Sequence, residues 1–476
     1  MSVVEVQTSA GRTGKLSDAA VEALAGRLRG RLIRAGGDEY AGACRLWNGM
    51  IHRQPALIAR CTGPADVRTC VAFARDRDVR LSVRAGGHNV SGAALVDGGL
   101  VIDLSALRGV RPEPDRHRVR VAGGARLGDL DHETLGLGQA VPTGVVSATG
   151  VAGLTLHGGY GWLARRWGLA ADNVESLDVV TADGQFRVVD AQHDPDLFWA
   201  LRGGGGNFGV VTSFEFRTHD LDHDVWMALV MYPAERTLEA MQFYRQHMQH
   251  APDELAALCV LWSAPDVEPV PPAMRGQPVV VFLACYSGPP DAGREMIRPF
   301  CTFGESVADL SARMPFDQAQ QMLDEDYPDG RCYYWKSIYL PALDEPTMSL
   351  LREAAAARPS PLTSVDVWAG GGAVARVAPD ATPIANRAAP FMVAIEANWP
   401  DPADADDNIA WARDLFKALR ELTGGATYLN FPGFVEEGTD LLRGAYGENY
   451  DRLIAVKRRY DPDDLFRGKL SVAVNA

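Results

Sequence analysis

The stretch Arg84–Ala85–Gly86–Gly87–His88–Asn89–Val90–Ser91–Gly92 carries the densest chemical information in this chain. It follows a strand signal at Arg80–Arg84, and no amphipathic helix follows it. Successive N–H groups in a glycine-rich turn make a concave anion site, and glycine lets a diphosphate come close to the main chain. His88 sits in the middle of that turn; a tight bend with an incidental histidine is the competing reading. Asn89–Val90–Ser91 also fits a glycosylation acceptor pattern, which is set aside because the N-terminus, Met1 to Lys15, shows no apolar leader.

Outward from this loop, short strands and helices alternate. Ala56–Arg60 reads as a strand, and Gly63–Pro64–Ala65–Asp66 opens a helix running to about Asp78 with Val67, Val71 and Ala74 on one face. Upstream, Val21, Leu24, Leu28 and Leu32 recur at helical spacing. Downstream, Leu100–Leu104, Arg118–Val121, Ser176–Thr181 and Gln185–Val189 read as strands, the last two joined by the turn Ala182–Asp183–Gly184. Val210–Arg217 alternates, with Val211, Ser213, Glu215 and Arg217 on one face and Val210, Thr212, Phe214 and Phe216 on the other. The run His219–Asp224 breaks that pattern and is taken as a boundary. Beyond it lie helical candidates at Ala234–His250 and Pro402–Thr423 and apolar strands at Trp226–Met231, Val279–Tyr286 and Met392–Trp399, an α+β arrangement with helices covering a sheet.

Two more glycine clusters follow the first. One spans Gly150 to Gly161 and leads through Trp162–Leu163–Ala164–Arg165 to Asp172–Asn173–Val174; the other is Arg202–Gly203–Gly204–Gly205–Gly206–Asn207–Phe208–Gly209. Gly204, Gly206 and Gly209 match G-x-G-x-x-G. A nicotinamide fingerprint needs a strand before and a helix after, whereas here a helix-like Asp196–Leu201 precedes and a strand follows, so a nicotinamide site is not expected.

Arg-x-Gly-Gly-His at 84–88, the Gly-Gly-x-Gly-Trp-Leu-x-Arg run from 158, Arg-Gly-Gly-Gly-Gly-Asn-Phe-Gly from 202 and a terminal Tyr-Asp-Pro-x-Asp-x-Phe-Arg at 460–467 stand in a fixed order. In these motifs, over residues 45–476, the sequence resembles a bacterial member of the berberine-bridge-enzyme-like FAD-linked oxidases of the vanillyl-alcohol-oxidase superfamily. The resemblance implies an α+β, two-domain PCMH-type FAD-binding fold. An FAD-binding domain of two α+β subdomains is expected over 1–220, a substrate-binding cap over 221–424, and a segment returning to the FAD domain over 425–476.

The same resemblance implies the cofactor and its ligands. FAD is expected to bond covalently to His88. The loop with Arg84, Gly86, Gly87, Asn89, Ser91 and Gly92 is expected to hold the diphosphate, and Ser147, Gly150, Gly153, His157, Gly158, Gly161, Asn173, Val210 and Asn430 are further cofactor positions. Many relatives add a cysteine link; Val146 stands at that place in Val145–Val146–Ser147–Ala148–Thr149–Gly150, so a single link is expected. Lys469 replaces a terminal asparagine of relatives, and a cation there would stabilise reduced flavin.

Asp366 stands five residues before Gly371–Gly372–Ala373–Val374–Ala375–Arg376, where bacterial relatives carry an acid. Strand alternation puts it on one face with Trp368, and burial there would raise its pKa and suit it to proton abstraction; an exposed strand carboxylate is the alternative. Tyr428 opens Tyr428–Leu429–Asn430–Phe431 and is expected as a second acid/base group or as a buried structural tyrosine. Thr149 is expected beside the oxygen-reactive edge of the flavin, and His157 either beside the flavin or capping a turn.

Composition fits this reading. The 476 residues are 47% hydrophobic and 23% charged, an ordinary globular mixture, and the net charge of −14 disfavours nucleic acid. Strongly apolar runs such as Val279–Cys285 are far too short for a bilayer. Seven scattered cysteines without a C-x-x-C pair point to neither a disulfide framework nor a metal site. The expectation is thus a cytoplasmic monomer or homodimer that oxidises a small-molecule alcohol, phenol or amine in bacterial specialised metabolism and passes the electrons to O2. Trp262, Tyr333, Tyr334, Trp335, Tyr339 and Trp368 suit a planar substrate, or serve as core. The segment 141–150 also resembles relatives that insert oxygen into polyketides, and a catalytically silent flavin-binding protein is the third possibility.

Overall fold

Leu57–Arg60, Leu81–Arg84 and Leu100–Asp103 are short and apolar, the signature of strands covered on both faces. In the computed structural model, which describes residues 3–473, they pair in parallel, with Arg31–Arg34 added antiparallel at one edge. The helix Pro64–Asp76 crosses over between the first two; Pro64 starts it, where a missing N–H costs nothing, and Val67, Val71 and Ala74 are buried as the spacing predicts.

The N-terminal helix is shorter than its apolar spacing suggests. It runs Asp18–Ala25, capped by the Ser17 hydroxyl, which accepts from the Ala20 N–H at 3.2 Å. Leu28 falls outside it and Leu32 belongs to the edge strand. Strand pairing wins because Gly30 sits against the adjacent strand Leu57–Arg60; a Cβ there would lie 1.9 Å from the Arg60 carbonyl oxygen.

A second sheet of five antiparallel strands has the order Phe186–Asp190, Val174–Thr181, Gly209–Arg217, Arg118–Ala122, Val110–Glu113. Its tight turn uses Gly184 at φ +77°, as the Asp-Gly pair requires. The expected alternation of Val210–Arg217 fails at one point. Ser213 pairs with Asp178 and Val211 with Val179, so Thr212 is an extra, bulged residue. Val211 therefore joins Phe214 and Phe216 in this sheet's core, while Val210 reaches the core of the first sheet. One bulge lets a single strand close both cores.

The third and largest sheet is antiparallel, and all its strands lie between residues 225 and 399. The order is Ala308–Asp309, Val225–Pro233, Pro278–Tyr286, Leu255–Ser263, Ser364–Ala369, Phe391–Trp399, Cys332–Leu340, with Ala312–Met314 also beside Val225–Pro233. The helices Thr237–Met248, Pro290–Cys301, Glu345–Ala356 and Ala405–Thr423 cover one face, burying Val365, Val367 and Ala369 among others. The opposite face, with Leu258, Val260 and Trp368, turns toward the two smaller sheets. The helices Thr439–Tyr446 and Tyr450–Tyr460 return to the five-stranded sheet, packing Leu442, Tyr446 and Leu453 beside Phe214. The outermost residues of the expected segments 1–220 and 425–476 lie outside the described residues. Among the described residues no helix is long and apolar enough to cross a membrane, and no group of three or more metal-ligating side chains converges.

Candidate active site

Where the three sheets meet, a cavity of about 870 Å³ runs from the first glycine loop to the inner face of the large sheet. Its walls include Gly86, Gly87, His88, Asn89 and Gly92 from the first sheet's loop, Val146, Thr149, Gly150, Gly153 and His157 from the second cluster, and Val210 beyond the third. Asp366, Trp368 and Glu396 close it from the large sheet, and Tyr428, Asn430 and Lys469 from the C-terminal segment. The sequence separates these groups by nearly four hundred residues; the fold lines one space with them.

The first loop is built to hold its shape. Gly87 and Gly92 have φ of +71° and +69°, where a side chain is strained. Asn89 Oδ1 accepts from the Ser91 N–H at 3.0 Å and its hydroxyl at 2.5 Å, an Asx turn that fixes the bend. Gly86 and Gly150 cross at van der Waals limit: a Cβ on Gly86 would lie 2.5 Å from the Gly150 Cα, and one on Gly150 2.5 Å from the Gly86 nitrogen. Both loops present bare main chain to the cavity at that crossing.

His88 is held by stacking. Its imidazole lies on Trp47 at 4.1 Å between ring centroids, Trp47 lies on Tyr333 at 3.7 Å, and the Trp47 indole N–H donates to the Tyr327 carbonyl at 2.8 Å. Burial lowers the His88 pKa to about 3, so the ring is neutral, and its buried Nε2 has no hydrogen-bond partner within the chain. Asn48 ties the arrangement together, its amide donating to the Val90 and Tyr333 carbonyls at 2.8 and 2.9 Å. Sequence reading overlooked Trp47 and Asn48. The signal was a Trp-Asn-Gly run at the very start of the matched region.

Not every expected position reaches the cavity. Arg84, Ser91, Ser147, Gly158, Gly161 and Asn173 stand behind its wall. Arg84 donates to the Ala43 carbonyl at 2.6 Å. The Ser147 N–H and hydroxyl both go to Asp324, the N–H at 2.8 Å. Gly161 presses on the Thr143 carbonyl. Asn173 departs furthest from expectation: its amide donates to the Trp167 and Leu169 carbonyls and its oxygen meets His219 at 2.7 Å, so it braces a turn. His157 lines the cavity, and its Nδ1–H donates to the Gly153 carbonyl at 3.0 Å, one helical turn back. Lys469 lines the cavity near the Phe434 ring, and burial, with Arg53 close by, lowers its pKa.

The far end of the cavity is acidic and aromatic. Asp366 is 6% exposed, and burial pushes its pKa up to about 7. Its Oδ1 and the Trp368 indole N–H both lack partners in the chain, and Ser364, Asp366 and Trp368 share the cavity face as alternation predicts. Tyr428 is buried with its hydroxyl oxygen accepting from the Gly159 N–H at 2.9 Å, the Tyr160 N–H at 3.2 Å and the Asn430 amide at 2.7 Å. Burial raises its pKa against those three donors, so it is a neutral phenol. Of the expected cap aromatics, Trp262, Trp335 and Trp368 line the cavity; Tyr334 packs on the helix side, where its hydroxyl donates to Glu436 at 2.6 Å. Glu396, a further wall residue, was also overlooked, although a carboxylate inside the apolar run Met392–Trp399 was visible.

These residues fit a flavin dinucleotide. A neutral, unpartnered imidazole, two crossing loops of bare main chain and a buried carboxylate on the wall of one large cavity suit an anionic dinucleotide cofactor. The third glycine cluster is held by Lys457, whose buried ammonium donates to the Asn207 and Phe466 carbonyls and to Asp461.

Known proteins agree with this geometry. A family described as "FAD binding domain" matches residues 55–190, and one described as "Berberine and berberine like" matches residues 427–473. The chain is 30% identical over 462 residues to (R)-6-hydroxynicotine oxidase of Paenarthrobacter nicotinovorans, covering 94% of this chain and 97% of that one. Among solved structures it resembles 6-hydroxy-D-nicotine oxidase from Arthrobacter nicotinovorans, with a TM-score of 0.81, 27% identity and coverage of 92% and 97%. Wild-type BBE-like 1 of Physcomitrella patens gives a TM-score of 0.85 at 23% identity, covering 96% and 99%, which speaks for the fold alone.

Proposed function

Because the chain belongs to the berberine-bridge-enzyme-like family of FAD-binding oxidases and is an FAD-dependent oxidoreductase, we propose that it oxidises an alcohol, phenol or amine in bacterial specialised metabolism, with O2 as the electron acceptor. The observation that carries this reading is the single cavity joining the His88 loop to Asp366. FAD held there would supply a two-electron acceptor for the substrate's hydride and a route for those electrons to O2, with H2O2 as the product.

This chain's own residues do the rest. Gly86, Gly87, Gly92 and Gly150 hold the diphosphate against main-chain amides. His88 would be the single covalent tether, since Val146 supplies no thiol for a second link. Asp366 takes the proton from the substrate O–H or N–H; a base whose pKa is near neutrality is well matched to that task. The Tyr428 oxygen, with three donors aimed at it, tolerates charge that builds up nearby. Thr149, on the cavity wall, would contact O2 in this reading. The divisions 1–220, 221–424 and 425–476 correspond in this reading to cofactor domain, substrate cap and returning segment.

The test is direct. Acid-precipitated protein should retain flavin fluorescence in the His88 peptide, and H2O2 should form with some member of a panel of alcohols, phenols and amines. Colourless protein after FAD supplementation, or no peroxide from any donor class, would reject the reading.

A further inference from the structure

Two carboxyl groups, of Asp366 and Glu396, stand on one face of the large sheet. The register sets Ser364 opposite Glu396 and Asp366 opposite Ala394, so the acids are diagonal neighbours on adjacent strands. Both line the cavity, at 6% and 4% exposure. Each has a hydroxyl that suits an anion. The Tyr327 hydroxyl donates to Glu396 Oε2 at 2.6 Å, the length of a bond to a charged acceptor. Ser364, on the same face, favours the ionised form of Asp366. Asp366 Oδ1 is buried in the cavity wall without a partner in the chain.

The chain supplies these acids with no countercharge. Among the described residues no Lys, Arg or His pairs with either one, and the charges that act on them are those of Asp326 and of each other. Arg331 also lines the cavity, but it serves Asp326, donating to its carbonyl at 2.6 Å. The other cationic wall residues, Arg53, Arg80, Arg467 and Lys469, belong to the first sheet's surroundings and the C-terminal segment. A buried charge is costly until something pairs with it, so this wall favours a ligand that brings a cation. The rest of the same sheet face is apolar: Leu229, Leu258, Val260, Leu283 and Met392 line the cavity with Trp368. A sugar would set hydroxyls against hydrocarbon there, and an anionic substrate would meet like charge. Aliphatic walls and an indole suit the apolar body of an organic cation.

We propose that the substrate is an apolar amine, bound as its ammonium ion with Asp366 and Glu396 as the countercharge, and that Glu396 selects for positive charge. In the reaction the N–H bond breaks and its proton goes to Asp366, whose Oδ1 is open. The hydride of the adjacent C–H bond goes to FAD, and the product is an iminium ion, whose charge Glu396 still balances. The chemistry of this step rests on the oxidase reading; the recognition of a cation does not.

The experiment is calorimetric titration of the anaerobic holoenzyme with benzyltrimethylammonium, which has no N–H proton to lose, beside benzyl alcohol and phenylacetate as neutral and anionic controls. The cation should bind at least roughly tenfold more tightly than the alcohol, and phenylacetate more weakly than both. Asp366→Asn and Glu396→Gln, each nearly isosteric, should weaken the cation roughly 10- to 100-fold, the worth of a bond to a charged group, and leave benzyl alcohol within about twofold. Peroxide assays should favour N-methylbenzylamine over benzyl alcohol and glucose by roughly 100-fold in kcat/KM, and Glu396→Gln should raise the amine's KM more than it lowers kcat. Equal affinity for cation and alcohol, a cation affinity indifferent to both substitutions, or preferred oxidation of the alcohol or the sugar overturns the proposal. A protein that binds the cation through both acids yet makes no peroxide from any donor would instead strike the oxidase reading and leave the cation site standing.

Discussion

Tyr428→Phe is the sharpest single perturbation of this site. It removes one oxygen and nearly no volume, so packing is preserved. The oxygen accepts from two main-chain N–H groups, of Gly159 and Tyr160, and from the Asn430 amide, all out of solvent. Asn430 retains a second partner, the Leu154 carbonyl at 3.2 Å, so its loss is partial. The Tyr160 bond is the longest of the three and its loss costs less. An orphaned buried donor costs about 1–3 kcal/mol, and these three sum to about 2–4 kcal/mol. An unfolding entropy of about 2.1 cal/mol/K per residue makes each kcal/mol worth about 1 °C in a chain this long. Differential scanning calorimetry of the holoenzyme should therefore show a fall of about 2–4 °C. The turnover number should fall as well, since Tyr160, one of the two main-chain donors, lines the cavity, while flavin in the acid pellet should persist. A melting temperature within a few tenths of a degree of wild type would refute the buried-acceptor account. Unchanged turnover would remove Tyr428 from the catalytic set.

Other perturbations test other parts of the structure. Gly150→Ala should cost FAD content, because its Cβ meets main chain of the Gly86 loop at 2.5 Å and neither side can yield cheaply; flavin-to-protein absorbance near that of wild type would contradict the crossing. Trp47→Leu removes the ring on which His88 lies and should lower the covalently retained fraction of flavin more than the total bound, as read in the acid pellet and its supernatant. Asp131 is buried with Oδ1 unpartnered, and burial raises its pKa to about 7. Its protonated form is the one the fold prefers, so its stabilisation is complete below the ordinary carboxylate range and is lost as pH rises through about 7. Asp131→Asn should flatten the decline in stability between about pH 4 and 7 by ~2–4 kcal/mol, and parallel denaturation curves for the two proteins would exclude that role. Finally, the acidic limb of kcat/KM should follow Asp366, near neutrality, and disappear in Asp366→Asn.

The sequence by itself determined what is local. Glycines that must turn at positive φ, the Asp183–Gly184 hairpin, the Pro64 helix start and the period-two placement of Asp366 with Trp368 all follow from backbone sterics and alternation, which act over a few residues. So did the rejection of the nicotinamide fingerprint, since a helix, Pro195–Leu201, precedes the loop and a strand, Gly209–Arg217, follows. The tertiary structure decided what depends on chains meeting. Val211 changes face because a bulge at Thr212 serves two cores at once. Leu32 leaves a helical pattern for a strand because Gly30 abuts Arg60. Asn173 turns away from the cavity because three partners on its own turn and on His219 claim it. Trp47 under His88 and Glu396 beside Asp366 are contacts between segments far apart or on neighbouring strands, and no periodicity along one segment encodes the register of the next.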